Sequence, residues 1–295
     1  MKKVGNTMNM NEDIFDIGSC GGELDFQLTK KFNSSYGIIR YDIQGQGEPL
    51  ILVHGTPWSS YNWRKIIPAL SQWFTVYYYD LLGYGQSEKN VKDVSLGIQN
   101  KVLEELINFW QLSNPKIVGH DFGGATVLRT HLLNNQSFKK IILIDPVAVS
   151  PWGSSFFTHV AHYEQAFSGL PEYIHDAILT RYVEGATYNP MDKETVEGIK
   201  KYWLGEEGQV AFYRQIAQSS QKYTDEVEHL YENIKIPVCL LWGENDQWIP
   251  IEKGRQLNSS IKTSIFIPIK KSGHLVQEDQ PAVLVSYILK FMLGD

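Results

Sequence analysis

Cysteine is scarce in this chain: Cys20 and Cys239 are the two among 295 residues, too few for a disulfide framework. Cys239 lies in the apolar run 237–242 and reads as a small core residue, whereas Cys20 sits in a Gly-rich polar leader and reads as a free surface thiol. Neither has the surroundings of a nucleophile, and a reducing cytoplasm is the expected compartment. A basic excess is also missing. Lys and Arg total 27 against 33 Asp and Glu, a net charge of −6 that speaks against nucleic acid or an anionic membrane as partner. Apolar runs stop at about six residues, so no segment is expected to cross a bilayer. Residues 1–24 start with Met1-Lys2-Lys3 but continue polar and acidic, so no signal peptide is expected there. Repeats of 20–50 residues are lacking. No Walker loop, zincin helix or Cys/His cluster occurs, so neither a metal nor an organic cofactor is expected.

What remains is an ordinary globular composition, with 43% apolar, 20% charged and 13% aromatic residues. The length allows one large domain or two modest ones. Strand-like runs at 37–43, 49–54, 75–80, 115–120 and 139–145 alternate with helical spacing at 94–112 and 123–133. Fully apolar strands alternating with amphipathic helices predict an α/β fold with a mostly parallel central sheet covered by helices on both faces. The alternation stops near Pro146 and resumes at Ile236, with a strand at 264–269 and a helix at 282–292. Residues 148–233 instead carry helical periodicity, many aromatics and most of the histidines. The expected organisation is a discontinuous core, 1–147 and 234–295, with a helical cap, 148–233, inserted after a strand, at the end where open sheets bind ligands.

Chemistry concentrates in Ile117-Val-Gly-His-Asp-Phe-Gly-Gly-Ala125, where a strand runs straight into a helix. Gly119-His-Asp-Phe-Gly123 has the small-x-nucleophile-x-small form of a nucleophile elbow, with Asp121 at its centre. Flanking glycines let the turn approach its neighbours, and the helix N-terminus favours a carboxylate. The simpler reading is an Asp that caps a helix. A hydrolase with a covalent step also needs a base, a group that orients it and oxyanion donors. His274, after the last strand and before the last helix, is the candidate base. Asp246, in Trp242-Gly-Glu-Asn-Asp-Gln-Trp-Ile-Pro250, is the first choice to orient it. Asp145, ending the strand before the insertion, is the alternative acid. The loop His54-Gly-Thr-Pro-Trp58 offers the Thr56 amide, which with that of Phe122 forms the expected oxyanion hole. His54 reads as a turn-shaping pocket residue and not as a base.

Five segments together resemble the Asp-nucleophile branch of the α/β-hydrolase superfamily, which contains epoxide hydrolases and haloalkane dehalogenases: HGTPWSSYNWR (54–64), DLLGYGQSEK (80–89), GHDFGG (119–124), WGENDQWIP (242–250) and GHLVQEDQP (273–281). The chain order nucleophile, acid, histidine is that of the superfamily. The resemblance implies the α/β-hydrolase fold, with attack of Asp121 on a saturated carbon and hydrolysis of the resulting ester by water that His274 activates. It implies no cofactor, and a small apolar substrate with water as partners. A monomer or homodimer is expected. Epoxide opening requires a proton donor, which the family supplies from cap tyrosines; Gln209-Val-Ala-Phe-Tyr-Arg214 resembles the segment that holds one, making Tyr213 the candidate, with Tyr163 as the second. Dehalogenases usually place Trp after the nucleophile and often Asn after the His-Gly pair, where this chain has Phe122 and Thr56; Trp58 remains a possible pocket donor. The expected activity is epoxide hydrolysis, with haloalkane dehalogenation and a non-catalytic small-ligand-binding protein as alternatives.

Overall fold

Runs such as Leu-Ile-Leu-Val and Ile-Ile-Leu-Ile must be buried on two faces, and the central sheet provides that. The computed structural model describes residues 26–294; Cys20 and the leader lie outside the described residues. Strands β1 (Lys30–Ser34), β2 (Gly37–Gln44) and β3 (Glu48–Val53) are followed by α1 (Ile67–Leu70), β4 (Phe74–Tyr79), α2 (Leu96–Phe109), β5 (Lys116–His120), α3 (Phe122–Leu133) and β6 (Ile141–Ile144). Five helices come next: α4 (Ser155–Ser168), α5 (Glu172–Glu184), α6 (Lys193–Lys200), α7 (Gly205–Ala217) and α8 (Lys222–Glu228). The chain then returns to β7 (Val238–Gly243), α9 (Ile251–Ser260), β8 (Ser264–Ile269), α10 (Val276–Asp279) and α11 (Pro281–Leu293). The sheet order is β1-β2-β4-β3-β5-β6-β7-β8. β2 pairs antiparallel with β1 and β4, and every other pairing is parallel.

Side chains alternate between the two faces with the strand period of two. Ile51, Val53, Ile117, Leu143 and Leu240 join one core with Val102, Leu103 and Leu106 of α2. Leu50, Leu52, Val118, Ile142 and Leu241 join the other with Leu284, Ile288 and Met292 of α11. Each such fully buried side chain is worth about 1.5–3 kcal/mol relative to exposure. Cys239 belongs to the second core, and burial pushes its thiol up to about 12. Among the described residues no helix is long and apolar enough to cross a membrane.

The chain passes from β3 to β4 on one side and later to β5 on the other, so the strand order reverses at β3. That is where open α/β sheets form a ligand crevice beyond the strand ends. Helices α4–α8 lie between β6 and β7 in sequence and pack against the loops beyond those ends. The Trp203 indole donates to the Pro57 carbonyl at 2.6 Å, and Leu275 N donates to Ala186 O at 3.0 Å.

At the elbow, β5 register sets Gly119 beside Val53 of β3, and Asp121 takes φ +53° as the chain turns into α3. A Cβ at Gly123 would collide with the backbone carbonyls of Val53, the last residue of β3, and of His54 just after it, so glycine is required for α3 to seat against the strand end. Gly123→Ala is expected to cost about 1–3 kcal/mol, lowering the thermal unfolding midpoint by roughly 3–10 °C. A midpoint equal to that of the native protein contradicts the close approach.

Candidate active site

Five parallel strand ends deliver five groups to one edge of the sheet: the His54–Thr56 loop after β3, Asp121 after β5, Asp145 after β6, Asp246 after β7 and His274 after β8. Asp121 is a non-glycine residue at positive φ, a conformation that costs of order 1–3 kcal/mol. Its backbone is well held. The amide donates to Ile144 O at 3.1 Å, and the carbonyl accepts from Gly124, Ala125 and Val147 at 3.0, 3.3 and 3.2 Å. The strained turn points the carboxylate across Gly55, where any Cβ would strike it. Asp121 Oδ1 accepts the Thr56 amide at 2.6 Å. Phe122 is the first residue of α3, so its amide has no partner within the helix.

His274 Nε2 lies 3.4 Å from Asp121 Oδ2, and Nδ1 lies 2.8 Å from Asp246 Oδ2. Asp246 Oδ1 accepts the amides of Trp248 and Ile249 at 2.7 and 3.0 Å. These contacts put the Nδ1 proton on the Asp246 side. Burial alone lowers the basicity of His274, but the charges of Asp246 and Asp121 outweigh it and hold the imidazole well above the usual histidine range. Behind the ring, His120 is kept well below that range, first by burial and then by the charge of His274. Neutral His120 donates from Nε2 to the His274 carbonyl at 2.9 Å and receives Gln277 Nε2 on Nδ1 at 3.3 Å. Trp248 stacks on His274 with centroids 5.0 Å apart and on Trp58 at 5.4 Å.

Beside Asp121 and Thr56 opens a cavity of about 480 Å³ walled mainly by Phe122, Val147, Trp152, Phe156, Phe157 and Tyr182. Tyr182 comes from α5 and packs its ring 4.5 Å from Trp248. Burial, then the charge of Asp121 and the neighbouring Tyr84, hold its phenol well above the usual range, so it stays protonated. Among the described residues no group of three or more His, Cys, Asp or Glu is arranged to hold a metal ion.

The alpha/beta hydrolase family model matches residues 50–286, spanning the whole constellation. The chain belongs to this family. Similar proteins include the uncharacterized hydrolase YugF of Bacillus subtilis, 26% identical over 266 residues, covering 83% of this chain and 90% of that protein. A soluble epoxide hydrolase of Corynebacterium sp. is 24% identical over 272 residues, covering 86% and 93%. A crystal structure of an alpha/beta hydrolase fold protein from Burkholderia ambifaria matches with TM-score 0.88 and 44% identity, over 90% of this chain and 98% of that one.

In this alpha/beta hydrolase the structure brings Asp121, His274, Asp246 and the Thr56 amide together, with Phe122 on the cavity wall. Asp145 lies one strand away and accepts Gly243 N at 2.9 Å instead of meeting the imidazole. Four sequence-based expectations need correction. Tyr213 turns into the cap, its hydroxyl 3.1 Å from His175 Nδ1 while His175 Nε2 meets Trp203 O, so it does not line the cavity. Tyr163 sits 56% exposed on the outer face of α4, its ring tilted against His159 with centroids 5.0 Å apart. His54 is buried behind the loop, accepting Leu81 N on Nε2 and donating from Nδ1 to Gly55 O. Trp58 lies beneath Trp248 and outside the cavity lining. Sequence reasoning missed Tyr182, Trp248, and Gln215 of α7, whose Oε1 accepts the hydroxyls of Thr56 and Tyr84. The Thr-Arg-Tyr-Val stretch of α5 carries no signal that singles out Tyr182; only the packing of the cap on the sheet edge does.

Because the folded protein raises the pKa of His274 above its unfolded value of about 6.5, the imidazolium's stabilisation is complete below that value. It is lost as pH rises through the folded pKa. The unfolding free-energy gap between the native protein and His274→Gln, from urea titrations, should therefore be wider near pH 6 than near pH 10. An equal gap at both contradicts the charge sandwich.

Proposed function

We propose that this hydrolase opens epoxides to vicinal diols through a covalent ester on Asp121. The observation that carries the reading is the 2.6 Å bond from the Thr56 amide to Asp121 Oδ1, because it places an oxyanion donor on the nucleophile's own carboxylate. In a serine-type hydrolase the hole faces a substrate carbonyl. Here it faces the atom that becomes the ester carbonyl oxygen once the other oxygen has attacked.

Asp121 Oδ2 attacks an epoxide carbon, the ring C–O bond breaks, and the freed oxygen takes the proton of Tyr182. The ester removes the negative charge of Asp121, one of the two that keep His274 protonated. The imidazolium then releases its Nε2 proton to solvent and becomes a base when a base is needed; it takes a proton from solvent again once Asp121 is free and ionised at the end of the cycle. Water gives a proton to His274 and its oxygen to the ester carbonyl. The oxyanion is held by the amides of Thr56 and Phe122. On collapse the departing alkoxide takes the proton back from His274, and the proton of the new carboxyl returns to Tyr182.

The largely apolar wall favours a small apolar substrate. The similarity to the Corynebacterium protein supports the same class. Halide displacement needs N–H donors at the leaving group. The Phe122 side chain has none, and the Trp152 indole is committed to Thr224 Oγ1 at 2.7 Å.

The test is product analysis with a styrene-oxide-type epoxide and, separately, a bromoalkane. Diol is expected from the first. Bromide without diol overturns the epoxide reading in favour of dehalogenation, and neither product favours a binding protein. Tyr182→Phe is expected to slow diol formation about 100-fold or more, whereas Tyr213→Phe stays within about two-fold because its hydroxyl is engaged with His175.

A further inference from the structure

Asp145 is the buried carboxyl that the mechanism above leaves unused. It follows β6 directly at φ +40°, fully buried, one strand from Asp246. Oδ1 is satisfied by the Gly243 amide at 2.9 Å. Oδ2 is buried and meets no N–H or O–H donor among the described residues. The neighbouring acid is Asp246, whose amide donates to the carbonyl of the same Gly243 at 3.2 Å and whose own two carboxylate oxygens already receive Trp248, Ile249 and His274. Two ionised carboxylates so close in a dry site repel strongly, and the buried acceptor would be left without a donor.

We propose that Asp145 is a positioning residue that stays a neutral carboxylic acid and donates its proton in a hydrogen bond to Asp246, restraining the basicity of His274. Burial first, and then the charge of Asp246, push the Asp145 carboxyl well above the usual carboxylate range, while His274 pulls in the opposite direction. The groups facing this unit are Asp246 and His274 for Asp145, and Asp246, Asp121 and neutral His120 for His274. The device answers a specific difficulty. Two carboxylates flank one buried imidazole, and a base that holds its proton too tightly cannot take one from water. A proton donated by Asp145 withdraws charge from Asp246 and weakens that grip, without adding a third negative charge.

The functional consequence rests on the triad reading, but the proton's location does not, so the test follows protons and not turnover. The imidazole of His274 is titrated by nitrogen NMR in the native protein, Asp145→Asn and Asp145→Leu. An asparagine keeps both bonds, its oxygen accepting Gly243 N and its amide donating to Asp246. Its His274 titration should match the native one within a few tenths of a pH unit. Asp145→Leu removes the donor and should raise the titration by about one unit or more. A downward shift in Asp145→Asn shows that the native carboxyl is ionised and overturns the proposal, as does an unchanged titration in Asp145→Leu. Should Asp145→Leu fail to fold, infrared difference spectra near pH 7 of native protein minus Asp145→Asn decide. A protonated-carboxyl band supports the proposal, and its absence overturns it. A failed diol assay with these titrations intact removes the proposed activity and leaves the proton assignment standing.

Discussion

The hydrogen bond from the Thr56 amide to Asp121 Oδ1 joins the ends of two neighbouring parallel strands, β3 and β5. A carboxylate held that way needs its strand to stop abruptly, a helix to begin at once and the facing loop to carry no side chain under it. The positive φ of Asp121 and the glycines at 55 and 123 follow from that one placement. The strain at Asp121 is offset by four backbone bonds to the same residue. From the other side, Gln215 of the cap takes the Thr56 hydroxyl, so the donor loop is fixed by core and cap together.

Charge then alternates through a series of contacts at the strand ends. The Asp121 carboxylate, the His274 imidazolium, the Asp246 carboxylate and the Asp145 carboxyl follow one another from β5 through β8, β7 and β6. Asp246 and Asp121 hold the proton of His274, and the charge of Asp246 disfavours ionisation of Asp145. Trp248, stacked on both His274 and Trp58, covers this row and lines the cavity beside Tyr182.

The fold was legible where burial writes itself into periodicity. The runs at 49–54, 115–120 and 264–269 become β3, β5 and β8, and the helical spacing at 94–112 becomes α2. Elements with little apolar content escaped. β1 is the edge strand KKFNS with one face exposed, and α9, IEKGRQLNSS, buries little beyond Gly254 and Leu257. The placement of Asp121, His274 and Asp246 at strand ends could be read because strand-end turns constrain sequence tightly. The cap residues could not. α7 carries Phe212, Tyr213 and Gln215 on neighbouring positions, and which of them faces the cavity depends on how the helix rolls against the core. Gln215 reaches Thr56, while Tyr213 turns to His175. The same holds for α5, where Tyr182 reaches the cavity and Tyr173 is left in solvent.

The central claim, that Asp121 is the atom-transferring nucleophile and not a bystander to direct attack by water, is tested most directly by isotope transfer. Excess enzyme is given a styrene-oxide-type epoxide for a single turnover in water enriched in oxygen-18. The account predicts a first-turnover diol without label, because its new oxygen comes from the Asp121 carboxylate, and label appearing in the peptide that contains Asp121. Label in the diol from the first turnover, with an unlabelled Asp121 peptide, would contradict it.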